Sequence, residues 1–571
     1  MTRPVIKLIV LAALILLLAT CLKPGSMKSV ANMCPGDTAL LLEVRDPLGA
    51  MELLGGSRFF EAYAASSAAS ARTQRFQSNL IDKREPMLML SAVVKRVSVA
   101  VIWDDPRVVH PFDMGPPVVV FLDVGALRVP IKFIVTAMSK GGNVYGEPVR
   151  GHTVFNSAGF SVVFVGDQIA VGSQARVKSL LDVQDDMRPS LTDLKPDWDE
   201  LRQWADTDAD VTGFLLDGRI LKVKQDNIPG LPIEAEDFVD LDALDGAVLN
   251  GYLKNEGPLI TGVIRQQGGL SFLRLLDISK GEPKSKFYLS DGMFDAIIVR
   301  LANPTELSPM LMELLKKNFM PDVRDTPDVM NRPQALKMGL LETALTAMLA
   351  QIDHEIAMFT IGHEGPKVFF VLLEDVRSAD LMVRTLARAA GSKDFQVPQD
   401  GEIGEIAVGE NTVYMMLRGR KLLVSNDSQA LLAVDRARNP QQQPRSIGAT
   451  YEYVDPDGSF LALWDVRGIL DAEGRFTGPD REFILDSWRG HLGIGFTVHP
   501  DRSEFAAYMP VDLELPQKPG WWKRQTLTWL HSVYFALKVA GWLLMILFLW
   551  LAMRQVRAII RISRERSAEA R

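Results

Sequence analysis

Cysteine is almost absent from this chain of 571 residues, which contains Cys21 and Cys34 and no other. Two cysteines cannot build a disulfide framework or a cysteine-based zinc site. A bridge between these two would join only the segment that follows the first apolar run. The interior of the protein therefore has to hold without covalent cross-links.

Histidine is also scarce, with seven residues in the whole chain, and none of them forms a metal-binding motif. The stretches "DHE" at 353–355 and "GHEGPK" at 362–367 lack a second histidine at helical spacing, and the latter has the glycine and proline of a hairpin turn. "MSKGGN" at 138–143 fits neither a Walker motif nor a nucleophile elbow. We therefore predict no metal and no cofactor, and the sequence identifies no catalytic residue.

Positive charge is concentrated at the two ends of the chain. Residues 1–28 carry +4 and residues 517–571 carry +8, and since the whole chain carries −7, residues 29–516 carry −19. A surface of this sign is repelled by phosphate groups, which argues against nucleic acid as a partner. It can attract basic partners, although solubility is the commoner reason for such a charge.

The first 28 residues have the composition of an export signal, because basic residues precede an apolar run from Leu8 to Ala19. A cleaved lipoprotein signal would end at Cys21 and make that residue a lipidation site, but Thr20 stands where a smaller residue is usual. The run with its flanks is about the minimum length that crosses a bilayer. A retained anchor is the better interpretation, and we predict a signal-anchor helix and linker at residues 1–28.

A second apolar segment, "SVYFALKVAGWLLMILFLWLAM" at 532–553, has Lys538 as its single charge and is long enough to span a bilayer. We predict an interfacial segment and transmembrane helix at 517–553, followed by an arginine-rich tail at 554–571. By the positive-inside rule this tail is cytoplasmic. The protein would then lie in the bacterial inner (cytoplasmic) membrane, held by both ends, with residues 29–516 periplasmic or otherwise extracytoplasmic.

Four segments recur in the same order at a nearly constant spacing. Their matched residues, 248 to 257 positions apart, are Asp46 and Asn303, Asp123 and Asp375, Gly166 and Gly419, and Asp217 and Asp465. In both copies a strand precedes an Asx-Pro helix start, a hairpin precedes a helix, and a turn, short strand and helix follow. A period this long indicates a doubled domain. We predict an α+β fold, a tandem duplication of a mixed strand/helix domain with copies at 29–285 and 286–516, flanked by N- and C-terminal transmembrane helices.

An opening "PGDTALLLEV" strand after an N-terminal anchor is combined here with segments of the form G-x-x-[IL]-x-V-[SGN] that precede a helix. These segments are Gly166–Gly172 and Gly419–Ser425. In this arrangement the chain resembles uncharacterised bacterial envelope proteins, a domain-of-unknown-function family with an N-terminal anchor. The resemblance covers residues 34–513 and does not include the predicted C-terminal transmembrane helix. It implies an envelope protein and carries no known activity or site residues.

Two polar pairs, Asp217 with Arg219 and Asp465 with Arg467, are placed alike in both copies. They either line equivalent sites for a ligand or partner, or make a local turn or ion pair. The leading hypothesis is a non-catalytic, membrane-anchored extracytoplasmic protein that acts in envelope assembly or as a partner-binding scaffold. The alternatives are a carrier of lipid or another hydrophobic ligand, which an enclosed cavity would favour, and a hydrolase of unrecognised type.

Overall fold

The structure is a computed structural model. It describes residues 29–47, 49–50, 57–66, 74, 94, 96–102, 117–124, 128–139, 145–157, 159–166, 168–195, 197–218, 244–266, 275–277, 282–290, 293–309, 342–343, 345–363, 365–389, 395–408, 411–438, 445–455, 457–472, 480–514, 550, 553–554 and 557.

Strands dominate this part of the chain. In the first half they are β1 (Thr38–Val44), β2 (Arg96–Ile102), β3 (Val118–Asp123), β4 (Tyr145–Val149), β5 (His152–Ser157), β6 (Phe160–Val165), β7 (Gln168–Gly172), β8 (Val211–Leu215), β9 (Leu244–Lys254) and β10 (Gly257–Gln266). In the second half they are β11 (Met293–Arg300), β12 (Ile352–Ile361), β13 (Lys367–Leu373), β14 (Ile403–Val408), β15 (Asn411–Arg418), β16 (Lys421–Ser425), β17 (Phe460–Trp464), β18 (Leu492–Val498) and β19 (Arg502–Tyr508).

Helices are short and lie between strands. They are α1 (Val30–Met33), α2 (Arg58–Ala65), α3 (Arg128–Ser139), α4 (Gln174–Gln184), α5 (Leu191–Leu194), α6 (Trp198–Gln203), α7 (Val376–Ala389), α8 (Ser428–Ala437), α9 (Arg445–Tyr451), α10 (Val466–Ala472) and α11 (Arg481–Ser487), with single 3-10 turns at Ser285–Tyr288 and Pro304–Glu306.

The nineteen strands form one continuous sheet in which every neighbouring pair is antiparallel. The order across the sheet is β4-β5-β6-β7-β3-β2-β1-β8-β9-β10-β19-β18-β17-β11-β12-β13-β16-β15-β14. We call β1–β10 the first half-sheet and β11–β19 the second half-sheet. Read outward from the junction of β10 with β19, the two half-sheets have the same order of equivalent strands, except that β4 and β5 correspond to the single strand β14.

The same local chemistry builds equivalent elements in the two half-sheets. Gly166 and Gly419 have φ angles of 56° and 61°, a left-handed conformation that glycine adopts without strain, and each forms the turn before an edge-ward strand. A strand and a helix follow in both places, β7 with α4 and β16 with α8. Each helix starts at a side-chain cap, Ser173 in one case and Asp427 in the other.

One face of the sheet, the inner face, carries the two largest cores. In the first half-sheet Leu41 and Phe121 pack with Leu181 of α4. In the second, Phe359 packs with Leu431 of α8. The strands alternate in burial, so that every second residue faces these helices.

The opposite face, the outer face, is covered by one helix in each half-sheet. Ile131 and Val135 of α3 contact a cluster around Phe164, and Met382 of α7 belongs to a cluster with Leu373. Between them an aromatic row crosses three strands near the junction. Its members are Phe460, Phe496 and Phe505, with neighbouring ring centroids 5.8 and 5.7 Å apart.

The predicted fold class is wrong. Instead of two mixed strand/helix domains between transmembrane helices, the described residues form a single antiparallel sheet. The physical reason is the pairing of β10 with β19, in which seven residue pairs join the last strand of each half-sheet. Because these strands pair with each other, neither half-sheet ends in a free edge at the junction.

The predicted membrane location is corrected as well. In the described part of the chain no helix is long and apolar enough to span a bilayer; the longest, α7, has 14 residues, against about 20 apolar residues for a span. The predicted spans at 1–28 and 517–553, and the tail at 554–571, lie almost wholly outside the described residues. The transmembrane, signal-anchor, inner-membrane and periplasmic predictions are therefore overturned.

Candidate functional site

Asp465 and Arg467, two of the sequence-predicted site residues, have local roles. The Asp465 carboxylate accepts a hydrogen bond from the backbone N–H of Gly468 at 3.0 Å and so caps α10. Arg467 pairs with Asp486 at 2.8 Å, and both side chains are more than half exposed. The turn and ion-pair alternative therefore describes this pair better than a shared binding site does.

The corresponding residue of the first half-sheet, Asp217, follows β8 and is half-buried, and its backbone N–H is 3.3 Å from the carbonyl oxygen of Ala39. Arg219 and Cys21 lie outside the described residues. Four strands separate β8 from β17 in the sheet order. At about 4.8 Å per strand, Asp217 and Asp465 are at least roughly 24 Å apart. The structure does not bring the two predicted pairs together.

A groove on the inner face marks the junction of the two half-sheets and has a volume of about 390 Å³. Strands β9, β10, β19 and β18 form its floor, and the segment after α9 forms one wall. Its lining residues are Asn250, Thr261, Gly262, Val263, Tyr453, Asp455, Gly495, Thr497, His499, Glu504, Phe505 and Ala506.

Small residues keep the floor of this central groove open. Thr261 is paired with Ala506 across the junction, and Ala506 is paired with Gly495 on β18. A Cβ atom at Gly495 would lie 2.6 Å from Cγ1 of Val454. The glycine therefore allows the wall segment to approach the sheet closely.

Aromatic side chains close one end of the groove. The rings of Tyr453 and Tyr508 have centroids 4.3 Å apart, and Nζ of Lys254 is 4.5 Å from the Tyr453 centroid. The Tyr252 hydroxyl donates a hydrogen bond to the carboxylate of Asp206. Burial raises the pKa of Tyr252 to about 12 and that of Tyr508 to about 12, so both phenols are neutral at pH 7.

The Asp206 carboxylate at this end is held in its charged form. It accepts a hydrogen bond from the backbone N–H of Asp208 at 2.8 Å and another from Tyr252. These two hydrogen bonds lower the pKa of Asp206. A negative charge therefore borders the aromatic end of the groove at neutral pH.

Charged side chains form the other end. Nη2 and Nε of Arg502 donate to the Glu504 carboxylate at 3.0 and 3.1 Å, and the His499 ring is 3.5 Å from the same carboxylate. Thr497 donates to Asp455 at 3.0 Å. Carboxylate oxygens, a threonine hydroxyl and aromatic faces are thus the groups that the groove presents to a ligand.

The central groove has the features of a binding site and lacks a nucleophile that the mechanism of an enzyme could use. In the described part of the chain no group of three or more His, Cys, Asp and Glu side chains is placed to hold a metal ion. Cys34 is fully buried in the first half-sheet, and burial raises the pKa of its thiol. The thiol therefore stays protonated and away from the groove.

Sequence reasoning missed this groove. The available signal is that β9–β10 and β18–β19 are the last hairpins of the two half-sheets. What places the site is the pairing of β10 with β19, whose residues are more than 240 positions apart in the chain.

The sequence matches no protein-family model, and no curated protein is significantly similar to it. Solved structures of TP0453 are distantly similar: crystal form I (13% identity, TM-score 0.24, 42% of this chain and 78% of that chain), crystal form IV (15%, 0.24, 41% and 79%) and crystal form III (13%, 0.26, 44% and 88%). TM-scores of this size assign neither a fold nor a function.

Proposed function

We propose that this chain is a non-catalytic scaffold that binds a partner protein, and that the central groove receives a segment of that partner. The observation that carries the proposal is the place of the groove, on the inner face where the two half-sheets join. Binding sites favour junctions of this kind, and a volume of about 390 Å³ is within the usual range of ligand sites. Four strands form a rigid floor for it.

The chemistry of the lining favours a basic partner segment. Asp455 and Glu504 place two carboxylates in the groove, and Asp206 adds a third negative charge at its aromatic end. Each carboxylate oxygen can accept more than the hydrogen bonds it already has. A lysine or arginine of the partner would bind here, with its aliphatic stem against Tyr453.

The test is purification of the full chain from its native cells, followed by native mass spectrometry and cross-linking. We expect one partner in fixed stoichiometry, cross-linked to residues around β10 and β19. Thr261→Trp fills the floor of the groove and should abolish the complex. Glu504→Gln removes one charge and should weaken the complex at least fivefold, with a smaller dependence on salt.

Ile260→Ser is the matched control, because Ile260 is next to Thr261 on β10 but points to the outer face and is 45% exposed. This variant should retain the partner. Circular dichroism should show that all three variants are folded. A partner that Thr261→Trp holds as well as the unmodified chain does, or a chain that purifies with no partner, would contradict the proposal.

A further inference from the structure

Three polar side chains lie side by side on the outer face of the second half-sheet. Asp295 on β11 is paired with Thr360 on β12, and Thr360 is paired with Lys367 on β13. A β-bulge at Phe294 directly precedes Asp295. Bulges change the direction of neighbouring side chains and are frequent beside functional sites. We call Asp295, Thr360 and Lys367 the polar row.

The first half-sheet has the same backbone without the polar row. Its β1 has a bulge one residue before Leu40, and Leu40 is paired with Val101, which is paired with Val118. These three positions correspond to Asp295, Thr360 and Lys367 by their place in the strands. Since leucine and valine fill them in one half-sheet, the fold itself does not require polar residues there.

Two atoms of the polar row lack hydrogen-bond partners. Thr360 is 3% exposed, and among the described residues neither its Oγ1 nor Oδ1 of Asp295 has a partner, although both atoms are buried. Unsatisfied buried polar groups destabilise a fold, and native structures contain few of them. Both atoms can accept a hydrogen bond, so the missing group is a donor.

An apolar pocket of about 410 Å³ adjoins the polar row on the same face. Phe369, Val413 and Val424 line it, and Lys367 stands at its mouth. The Phe369 side chain is 45% exposed. Phe369 is two residues from Lys367 on β13, so the two side chains point the same way. The pocket and the polar row therefore form one surface.

We infer that this surface binds a single-chain zwitterionic amphiphile. The apolar chain lies in the pocket against Phe369, and the anionic group of the head pairs with the Lys367 ammonium. A primary ammonium on the same head donates to Oγ1 of Thr360 and Oδ1 of Asp295. The row spans two strand spacings, about 10 Å, which a flexible lysine and a short head group can bridge.

The chemistry of the head group allows a sharp test. Lysophosphatidylethanolamine has a primary ammonium with N–H donors, whereas lysophosphatidylcholine has a quaternary ammonium with none. Isothermal titration of the full chain, with each probe below its micelle concentration, should show at least tenfold tighter binding of lysophosphatidylethanolamine. Equal binding of the two probes, or no binding of either, would overturn the inference.

The variant Asp295→Leu/Thr360→Val places the residues of the first half-sheet in the second. We expect it to lose at least tenfold in affinity for lysophosphatidylethanolamine, to bind both probes alike, and to melt at a higher temperature than the unmodified chain. If the double variant does not fold, Thr360→Val, which is nearly isosteric, decides by the same readout. Unchanged affinity in the deciding variant would sink the idea, whatever its melting temperature.

Lys367→Ala should weaken binding of both probes, because both have the phosphate. Val118→Lys, at the corresponding position of the first half-sheet, is the matched control and should leave both affinities unchanged. This site is on the opposite face from the central groove. A chain that binds the ethanolamine probe but no partner protein would therefore contradict the proposed scaffold function and leave this inference standing.

Discussion

At the scale of single residues, Asp465 and Arg467 show how chemically similar neighbours can differ in importance. Asp465 satisfies a backbone N–H at the start of α10, which has no other partner inside the helix. Arg467 makes an ion pair between two exposed side chains, where water and entropy cancel most of the attraction. The carboxylate should therefore matter to stability and the guanidinium should not.

We predict that Asp465→Ala lowers the free energy of unfolding by about 1 kcal/mol. Arg467→Ala and Asp486→Ala, which remove the two partners of the exposed ion pair, should each change it by less than about 0.5 kcal/mol. Urea unfolding of the full chain measures all three. A loss from Arg467→Ala as large as that from Asp465→Ala would contradict the local interpretation of this pair.

At the scale of elements, a buried carboxylate on one strand holds a turn from a distant part of the chain. Glu355 of β12 is 4% exposed and accepts hydrogen bonds from the backbone N–H groups of Lys284 and Ser285, at 2.8 and 2.6 Å. The 3-10 turn that starts at Ser285 places Tyr288 in the core of the second half-sheet, fully buried. One side chain thus fixes the approach of the chain to β11.

Glu355→Ala should cost roughly 2–3 kcal/mol of stability, because hydrogen bonds to a buried charged group are strong and two donors would be left without a partner. Glu355→Gln keeps one acceptor oxygen and should cost less. Glu405→Ala is the matched control, since Glu405 is an exposed strand glutamate on β14, and should change stability by less than about 0.5 kcal/mol. Urea unfolding gives the energies, and hydrogen exchange should show faster opening of residues 282–290 in the alanine variant alone.

At the scale of the whole molecule, the two half-sheets depend on one strand pair. The pairing of β10 with β19 is the only strand contact that crosses the junction in the described part of the chain. On its outer face Gly262 is opposite Phe505, whose ring lies over the glycine. A Cβ atom at Gly262 would be 2.5 Å from Cε1 of Phe505 and 2.5 Å from the carbonyl oxygen of Val248.

Gly262→Ala should therefore destabilise the protein by about 1–3 kcal/mol, because the strands have to separate to admit the methyl group. Gly251→Ala on the neighbouring strand is the control, since its Cβ would meet Val211 at an ordinary 3.7 Å, and should be neutral. Denaturant unfolding should also become two transitions in Gly262→Ala, with the half-sheets opening separately in hydrogen exchange. A single unshifted transition would show that the junction does not couple the half-sheets.

Local sequence patterns predicted many of the individual elements. The apolar runs "TALLLEV" and "DAIIVR" are strands β1 and β11, and the helical stretches predicted at 125–139 and 377–390 overlap α3 and α7. These predictions succeeded because side-chain periodicity and caps act over a few residues. The predicted membrane helices and the binding role of Asp465 and Arg467 were wrong or unsupported, since neither long apolar runs nor paired residues report their tertiary surroundings.

The sequence by itself determined the strands, their helices and the order in which similar segments recur, because each depends on neighbours a few residues away. Only the tertiary structure decided that β10 pairs with β19, that a groove lies above this pair, and that Asp295, Thr360 and Lys367 form one row. These features arise from strand register between distant parts of the chain. A shift of one residue in register turns every side chain to the other face, so no local pattern could have located either site.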